Sequence, residues 1–327
     1  MTTKEIPSPW HAGERALQMR AGVGERMEHV GRNIRDFMPD QHRAFFAQLP
    51  FLVVGSVDGD GLPWASLLAG KPGFASSPDP WTLTIAARPI PGDPLEMALM
   101  PGAKLGLLGI ELPTRRRNRM NGRIVASDGE GFSVAVDQSF GNCPQYIQRR
   151  DYERMASAGG PVRVECFTTL DAEGRALISG ADTFFVATFS RAEGSGRQDG
   201  VDVSHRGGRP GFVGIDEAGA LVVPDYAGNR FFNTLGNMLE NPRAGLLFVD
   251  FASGDLLQLT GRTEIVWDGE EVRAFAGAEH LWRLAPSHGR WLRGALPARL
   301  ALREFSPNLE GTGTWQEDGA AERREEG

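Results

Sequence analysis

Two short strings hold most of the residues in this sequence that could do chemistry. Ser204-His205-Arg206-Gly207-Gly208 closes one apolar run. Pro224-Asp225-Tyr226-Ala227-Gly228-Asn229-Arg230 leads from another into a helical stretch that carries Asn233, Thr234 and Asn237. Hydroxyl and amide side chains beside two arginines are what a phosphate monoester needs, namely convergent donors and one or two cations. A helix N-terminus adds backbone N–H groups, and the planar guanidinium fork suits phosphate oxygens. Glycines at Gly207 and Gly208 let backbone approach a ligand closely. Tyr226 and Phe212 are candidates to flank an aromatic ring system.

The elements that must position these strings occur twice. Pro63–Phe74 matches Val201–Phe212 without gaps at five of twelve positions, and Lys104–Leu112 matches Arg243–Phe251 at three, with three further conservative pairs. Gly122-Arg123 matches Gly261-Arg262, and the three offsets are 138, 139 and 139. Near-constant spacing across three segments reads as an internal duplication, and two copies are two domains rather than a solenoid. The first copy serves as an internal control. Where the second has SHRGG it has Ser66-Leu67-Leu68-Ala69-Gly70, and in place of DYAGNR it has the apolar Ala86-Ala87-Arg88-Pro89-Ile90-Pro91. Asp93 beside its helix start would repel a phosphate, whereas Asn229 and Arg230 would attract one. The polar residues of the second copy therefore serve a ligand rather than the fold.

Apolar spacing from Ala12 to Phe46 predicts helix, restarting at Pro39 with Asp40 as N-cap. After Pro50 the pattern becomes short apolar runs between Gly, Pro and Asp, which reads as strands and tight turns. One short helix over Pro94–Met100, capped by Asp93, interrupts them. The join between copies falls within Arg149–Gly180, which also holds a strand at Val162–Thr168 and a helix near Asp171–Ile178. The tail after Pro307 is Gly- and Glu-rich, with an end expected to fray.

Other signals are set aside or exclude function classes. A net charge of −7 argues against nucleic acid as a partner. The two cysteines, Cys143 and Cys166, form no CxxC pair, so neither a disulfide framework nor a bound metal is expected. The first twenty residues lack an apolar signal core and no run reaches membrane-spanning length, so a cytoplasmic protein without a membrane partner is expected. Gly22-Val23-Gly24 has no preceding strand and fails as a dinucleotide loop. Thr114–Arg119 (TRRRNR) reads as a solvated hairpin face, with an anionic ligand as the alternative. His280 and His288 lie in a stretch that reads as loop.

The run VDVSHRGGRPGF…LVVPDYAGNRFFNTLGNMLENPRAGLLFVDF resembles the pyridoxamine 5′-phosphate oxidase-like FMN-binding split barrels, in particular their predicted flavin-nucleotide-binding branch. The resemblance spans Asp182–Trp267 strongly and Phe51–Gln148 more weakly. It implies a mainly β fold with peripheral helices: two tandem six-stranded antiparallel split β-barrels of Greek-key type, facing each other as an intrachain pseudo-dimer. The divisions would be a helical segment over residues 1–50, a first barrel over 51–160 and a second over 161–327. Carried over, Ser204, His205, Arg206, Arg230, Asn233 and Thr234 would hold the FMN phosphate and ribityl chain, with Gly207 and Asn229 beside them. Asp225, Tyr226 and Asn237 would lie along the flavin. A family segment of the type N-C-P-x-Y-I stands in the first copy, bringing Asn142, Cys143 and Tyr146 to the other side of one shared FMN. The implied activity is FMN-dependent oxidoreduction with a small-molecule substrate or electron donor, NAD(P)H being a candidate, and the chains could associate further as a homodimer. A flavin carrier, sensor or electron-transfer protein is the alternative, and a haem-handling barrel the third. The basic R-x-H-D-R type substrate segment of true pyridoxamine phosphate oxidases is absent, which argues against that substrate.

Overall fold

A computed structural model of the chain describes residues 8–154, 161–190 and 196–315. The Ser-Ala-Gly-Gly stretch at the join and the end of the tail lie outside the described residues. The predicted N-terminal helix is divided into α1 (Ala12–Arg20), α2 (Gly24–Val30) and α3 (Asp40–Gln48). Gly22 takes φ +68°, a left-handed turn after α1 that a residue with a Cβ would resist. Asp40 is the first residue of α3 rather than its cap, following Pro39.

Seven strands make the first sheet: β1 (Phe51–Val57), β2 (Pro63–Ala69), β3 (Ala75–Asp79), β4 (Thr82–Ile85), β5 (Lys104–Glu111), β6 (Arg116–Ser127) and β7 (Phe132–Gly141), with α4 (Leu95–Ala98) between β4 and β5. A link of β8 (Arg149–Arg154), β9 (Arg163–Phe167) and α5 (Ala172–Gly180) follows. Asp171 caps α5, accepting from the Gly174 N–H at 2.7 Å. The second half contains β10 (Thr183–Phe189), β11 (Val201–Gly207), β12 (Gly214–Ile215), β13 (Leu221–Tyr226), α6 (Asn233–Glu240), β14 (Arg243–Val249), β15 (Leu256–Val266), α7 (Glu270–Ala274), β16 (Ala278–Arg293) and β17 (Ala298–Glu304).

The first sheet runs β2-β1-β5-β6-β7-β4-β3 and the second β11-β10-β14-β15-β16-β13-β12, the same order element for element. Strand β9 adds to β16, and β8 pairs with β17. The molecule is mainly β with few helices, and neither sheet closes on itself among the described residues. Two expectations are corrected here. His280 and His288 lie on the sixteen-residue strand β16, not in a loop. The basic string Thr114–Arg119 runs into β6, whose pairing with β5 begins at Arg116.

The apolar runs of β1 and β10 are continuous because both faces are buried. Leu52 and Val54 enter the core of the first sheet, with Phe45 and Phe46 of α3. Phe184 and Val186 enter that of the second, with Phe248 and Trp282. The alternate residues, Val53 on one side and Phe185 and Ala187 on the other, meet in a third cluster between the halves. The contact there is backbone to backbone. A Cβ on Gly106 would lie 2.7 Å from the Val201 carbonyl oxygen, and one on Gly245 2.3 Å from that of Pro63. These are corresponding positions of the two copies, so each half crosses the other in the same way.

Valine at Gly245 should therefore cost about 1–3 kcal/mol by overpacking, read as a lower urea midpoint. Gly59→Ala, with open space around it, should stay within about 0.5 kcal/mol of the parent.

Candidate functional site

The reciprocal crossing brings the end of β6 from one half over the end of β11 from the other. Between them opens a cleft with about 950 Å³ of empty space, its open mouth included. From the second half, β11 contributes Ser204, His205, Arg206 and Gly207, and β13 ends in Asp225 and Tyr226. The following loop brings Asn229 and Arg230, and the first turn of α6 brings Asn233 and Thr234; Phe212 also lines the wall. From the first half, the segment after β7 contributes Asn142, Cys143 and Tyr146. Gly208, also singled out in the sequence, is not on the cleft wall; of the candidate side chains, all reach the cleft except that of Asn237. That side chain is fully buried one turn further along α6, where it donates to Thr188 at 3.1 Å and to Asp202 at 2.9 Å. Its work is to tie α6 to β10 and β11.

Glu279 lines the cleft and was not singled out, and Arg117 and Arg119 come from the basic string Thr114–Arg119, for which an anionic ligand was the alternative to a solvated hairpin face. The signal for the arginines was their two-residue spacing, which puts both on one face of a strand, and the 139-residue offset, which aligns Arg119 with Gln258. Arg119 is 4 % exposed. Its guanidinium donates to Asp202 at 3.0 Å, to the Asn233 side-chain oxygen at 2.8 Å and to the Ser204 hydroxyl. Arg117 donates to the Cys143 carbonyl at 2.7 Å and lies 3.4 Å from His205 Nδ1. No carboxylate pairs with Arg117 among the described residues. Burial first, then the neighbouring Arg119 and Arg206, push its pKa down to about 9. The same causes, burial and then Arg117 and Arg206, hold His205 well below the usual imidazole range, so it is neutral at pH 7. The other two arginines have acidic partners. Arg206 donates to Asp225 at 2.5 Å, and Arg230 makes a two-pronged pair with Glu279 at 2.5 Å.

The two halves are stitched at the rim. A Cβ on Gly207 would lie 2.0 Å from the Tyr146 carbonyl oxygen, so only glycine admits the first-half segment there. The Tyr146 hydroxyl donates to the Ala227 carbonyl at 3.1 Å, and its ring lies 5.2 Å from that of Tyr226. Tyr146, Arg230 and Phe232 all take positive φ, at 61°, 66° and 61°. Three non-glycine residues in that region around one cleft are backbone strain held by their surroundings, a pattern that clusters at ligand sites.

The corresponding place in the first half has a different content. Ser66, aligned with Ser204, donates to Asp93 at 2.5 Å; Gln258, aligned with Arg119, donates to Asp93 at 3.0 Å and Ser66 at 3.3 Å. Asp93 is 2 % exposed, and burial raises its pKa to about 6. The Asp93 carboxylate also accepts from the Leu95 N–H at 2.9 Å at the start of α4, where Pro94 rather than the predicted Asp93 holds the cap position and the helix is shorter than Pro94–Met100.

Residues 170–295 match the family model described as pyridoxamine 5′-phosphate oxidase. That stretch runs from α5 past the end of β16 and includes every second-half residue of the cleft named above; it is a pyridoxamine 5′-phosphate oxidase-like segment. No curated protein matches the chain. Among solved structures, HupZ of Group A Streptococcus is 13 % identical with a TM-score of 0.30, covering 37 % of this chain and 98 % of its own. HutZ, a haem storage protein from Vibrio cholerae, is 15 % identical with a TM-score of 0.27, covering 39 % and 96 %. A FAD-binding protein from Mesorhizobium loti is 15 % identical with a TM-score of 0.25, covering 39 % and 97 %. No helix among the described residues is long and apolar enough to cross a membrane.

One acidic group behind the cleft gives a pH test of this geometry. Glu14 accepts from the Asn233 side chain, and burial pushes its pKa from 4.5 up to about 7. A carboxyl whose folded pKa is raised stabilises the fold below its unfolded pKa and loses that contribution as pH rises through the folded one. Its share of the unfolding free energy should fall by up to about 3 kcal/mol between pH 4.5 and 7. Urea titrations across that window should show a shallower fall for Glu14→Gln than for the parent.

Proposed function

We propose that the cleft binds FMN through its phosphate and that the protein is an FMN-dependent oxidoreductase whose substrate is not pyridoxamine phosphate. The observation that carries this is Arg117. A half-buried guanidinium that has no carboxylate among the described residues, in the repulsive field of Arg119 and Arg206, is costly unless an anion joins it. The surroundings fit a phosphate ester in particular: Arg119 beside Arg117, and the hydroxyls of Ser204 and Thr234 3.2 Å apart. Buried nitrogens of the same wall, Arg119 Nε, Arg206 Nε and His205 Nε2, have no acceptor among the described residues. Arg117 and Arg119 would carry most of the phosphate charge, since Arg206 and Arg230 already face Asp225 and Glu279. Arg230 would then contribute by exchanging Glu279 for the ligand. Tyr226 and Tyr146 would flank the flavin from opposite halves.

Bound FMN supplies the hydride and electron chemistry. The chain's own residues bind and orient it, and the rim contact of Tyr146 with the Ala227 carbonyl ties the two halves together beside it. In this reading the two halves are tandem split barrels facing each other as a pseudo-dimer, divided near residues 50 and 160. One FMN per chain follows, because the Ser66–Asp93–Gln258 cluster fills the corresponding place with its own carboxylate. The RLAP string at Arg283–Pro286, which imitates the terminus of true pyridoxamine phosphate oxidases, lies within β16, with Arg283 paired to Glu271 at 2.5 Å. It has no part in the cleft, in keeping with a different substrate.

The test is an absorption spectrum of the purified chain, with identification and stoichiometry of what denaturation releases. One FMN per chain supports the reading; a chain that neither carries nor takes up FMN overturns it, and a haem spectrum replaces it. Arg117→Gln should weaken FMN binding about 10- to 150-fold, the equivalent of about 1.5–3 kcal/mol for a charge-assisted contact. Unchanged affinity would remove Arg117 from the site. Reduction of the bound flavin by NADH or NADPH marks an enzyme; a flavin inert to every donor and acceptor marks a carrier.

A further inference from the structure

Helix α1 belongs to neither repeated sheet, yet it packs against α6 behind the cleft. It crosses α6 through two glycines. A Cβ on Gly13 would lie 2.2 Å from the Gly236 carbonyl oxygen, and one on Gly236 2.8 Å from the Glu14 nitrogen. This crossing sets the Glu14 carboxyl, 3 % exposed, against the first turn of α6. There the Asn233 amide donates its N–H to Glu14 and offers its oxygen to Arg119 Nη1 at 2.8 Å, and Arg119 Nη2 donates to Ser204. Glu14 thus fixes which way the Asn233 amide points, and the amide fixes one prong of the Arg119 fork. Glu14 itself does not line the cleft.

We propose that Glu14 is a positioning residue that couples anion binding in the cleft to the uptake of one proton. This rests on reading the cleft as a phosphate site. The charged and titratable groups around Glu14 are few. His11, the cap of its own helix, has Nε2 3.7 Å from the carboxylate, and His11 Nδ1 is 2.9 Å from Glu240 at the end of α6. Asp202 on β11 adds a like charge, and Arg119 on β6 an opposite one. Asp202 and Glu14 therefore share the field of the Arg119 guanidinium, with His11 as the other cationic neighbour of Glu14. A phosphate dianion arriving at Arg119 draws on the same cation, and the Glu14 carboxylate loses part of its compensation. The proton comes from solvent and ends on a Glu14 oxygen; no covalent bond of the ligand changes. A protonated Glu14 keeps its carbonyl oxygen as an acceptor for Asn233, so the relay stays aligned while the negative charge behind the phosphate is removed.

The experiment is FMN binding to the full-length apoprotein between pH 7 and 8.5, where a phosphate monoester with a second pKa of about 6 is already a dianion. Affinity is read by quenching of flavin fluorescence, and proton uptake by calorimetry in two buffers of different ionisation enthalpy. For the parent, Kd should weaken about fivefold across this range, with about half a proton taken up per FMN near pH 7.5. Glu14→Gln should bind FMN with a flat profile and no uptake, while Glu14→Ala should bind more weakly, which separates alignment from charge. A Glu14→Gln protein that keeps the parental slope and uptake overturns the proposal. Should that variant not fold, the parent decides, because zero uptake at pH 7.5 overturns it equally. Ribose 5-phosphate, a monoester whose second pKa is also about 6, is the second probe. If it binds with the same slope and FMN does not, the coupling stands and the flavin reading falls; if neither binds, both fall.

Discussion

The structure depends on one close contact, the crossing of two backbones where Gly106 of one half meets Val201 and Gly245 of the other meets Pro63. Side chains at those positions would hold the sheets apart. With hydrogen alone there, β1 and β10 bury both faces and a third apolar cluster forms between the halves. The same crossing sets the reach of every residue near it. It carries the end of β6 over β11 and the end of β15 over β2, so each half presents side chains to the other's loops. A cleft between the halves follows from this geometry before any polar residue is chosen.

The two copies then fill equivalent positions with opposite electrostatics. Arg119, with Ser204 and Asp202, stands beside Arg117, whose positive charge no carboxylate among the described residues meets. Gln258 with Ser66 encloses Asp93, and that carboxylate is satisfied by Ser66, Gln258 and a backbone N–H. A buried acid supplied with that many donors needs no ligand. The frame is symmetric and its content is not. An isologous arrangement of identical halves would have to make the two places alike; a duplicated chain can keep one as a site and the other as part of the packing.

Much of this was legible in the sequence, for identifiable reasons. The duplication showed because spacing survives where residue identity does not. The second-half strings showed because polar residues at strand ends stand out against an apolar copy of the same segment. What escaped depends on distance across the chain or on ambiguous patterning. Strand β16 is interrupted by Pro286 and carries His280, Arg283, Ser287, His288 and Arg290, so its alternation reads as loop. Arg117 and Arg119 sit in a basic run whose usual place is solvent, and only the opposing half makes them interior. Asn237 has the same chemistry as Asn233 and differs only by one helical turn, which moves it from the cleft to the packing against β11. Glu14 lies 219 residues from Asn233 and no local pattern joins them.

The distribution of carboxylates explains how such a cationic site can exist in a folded chain. Arg206 and Arg230 lie near the second-half loops, where Asp225 and Glu279 neutralise them. Arg119 takes Asp202. Arg117 alone among these is left with carbonyl and imidazole partners, and its partial desolvation beside other cations costs folding free energy that none of the described residues returns. An anion binding the folded chain and not the unfolded one restores that loss by mass action. A carboxylate beside Arg117 would make the empty protein more stable and the cleft indifferent to phosphate. The weakness in the fold and the affinity of the site are thus the same interaction, seen without and with its ligand.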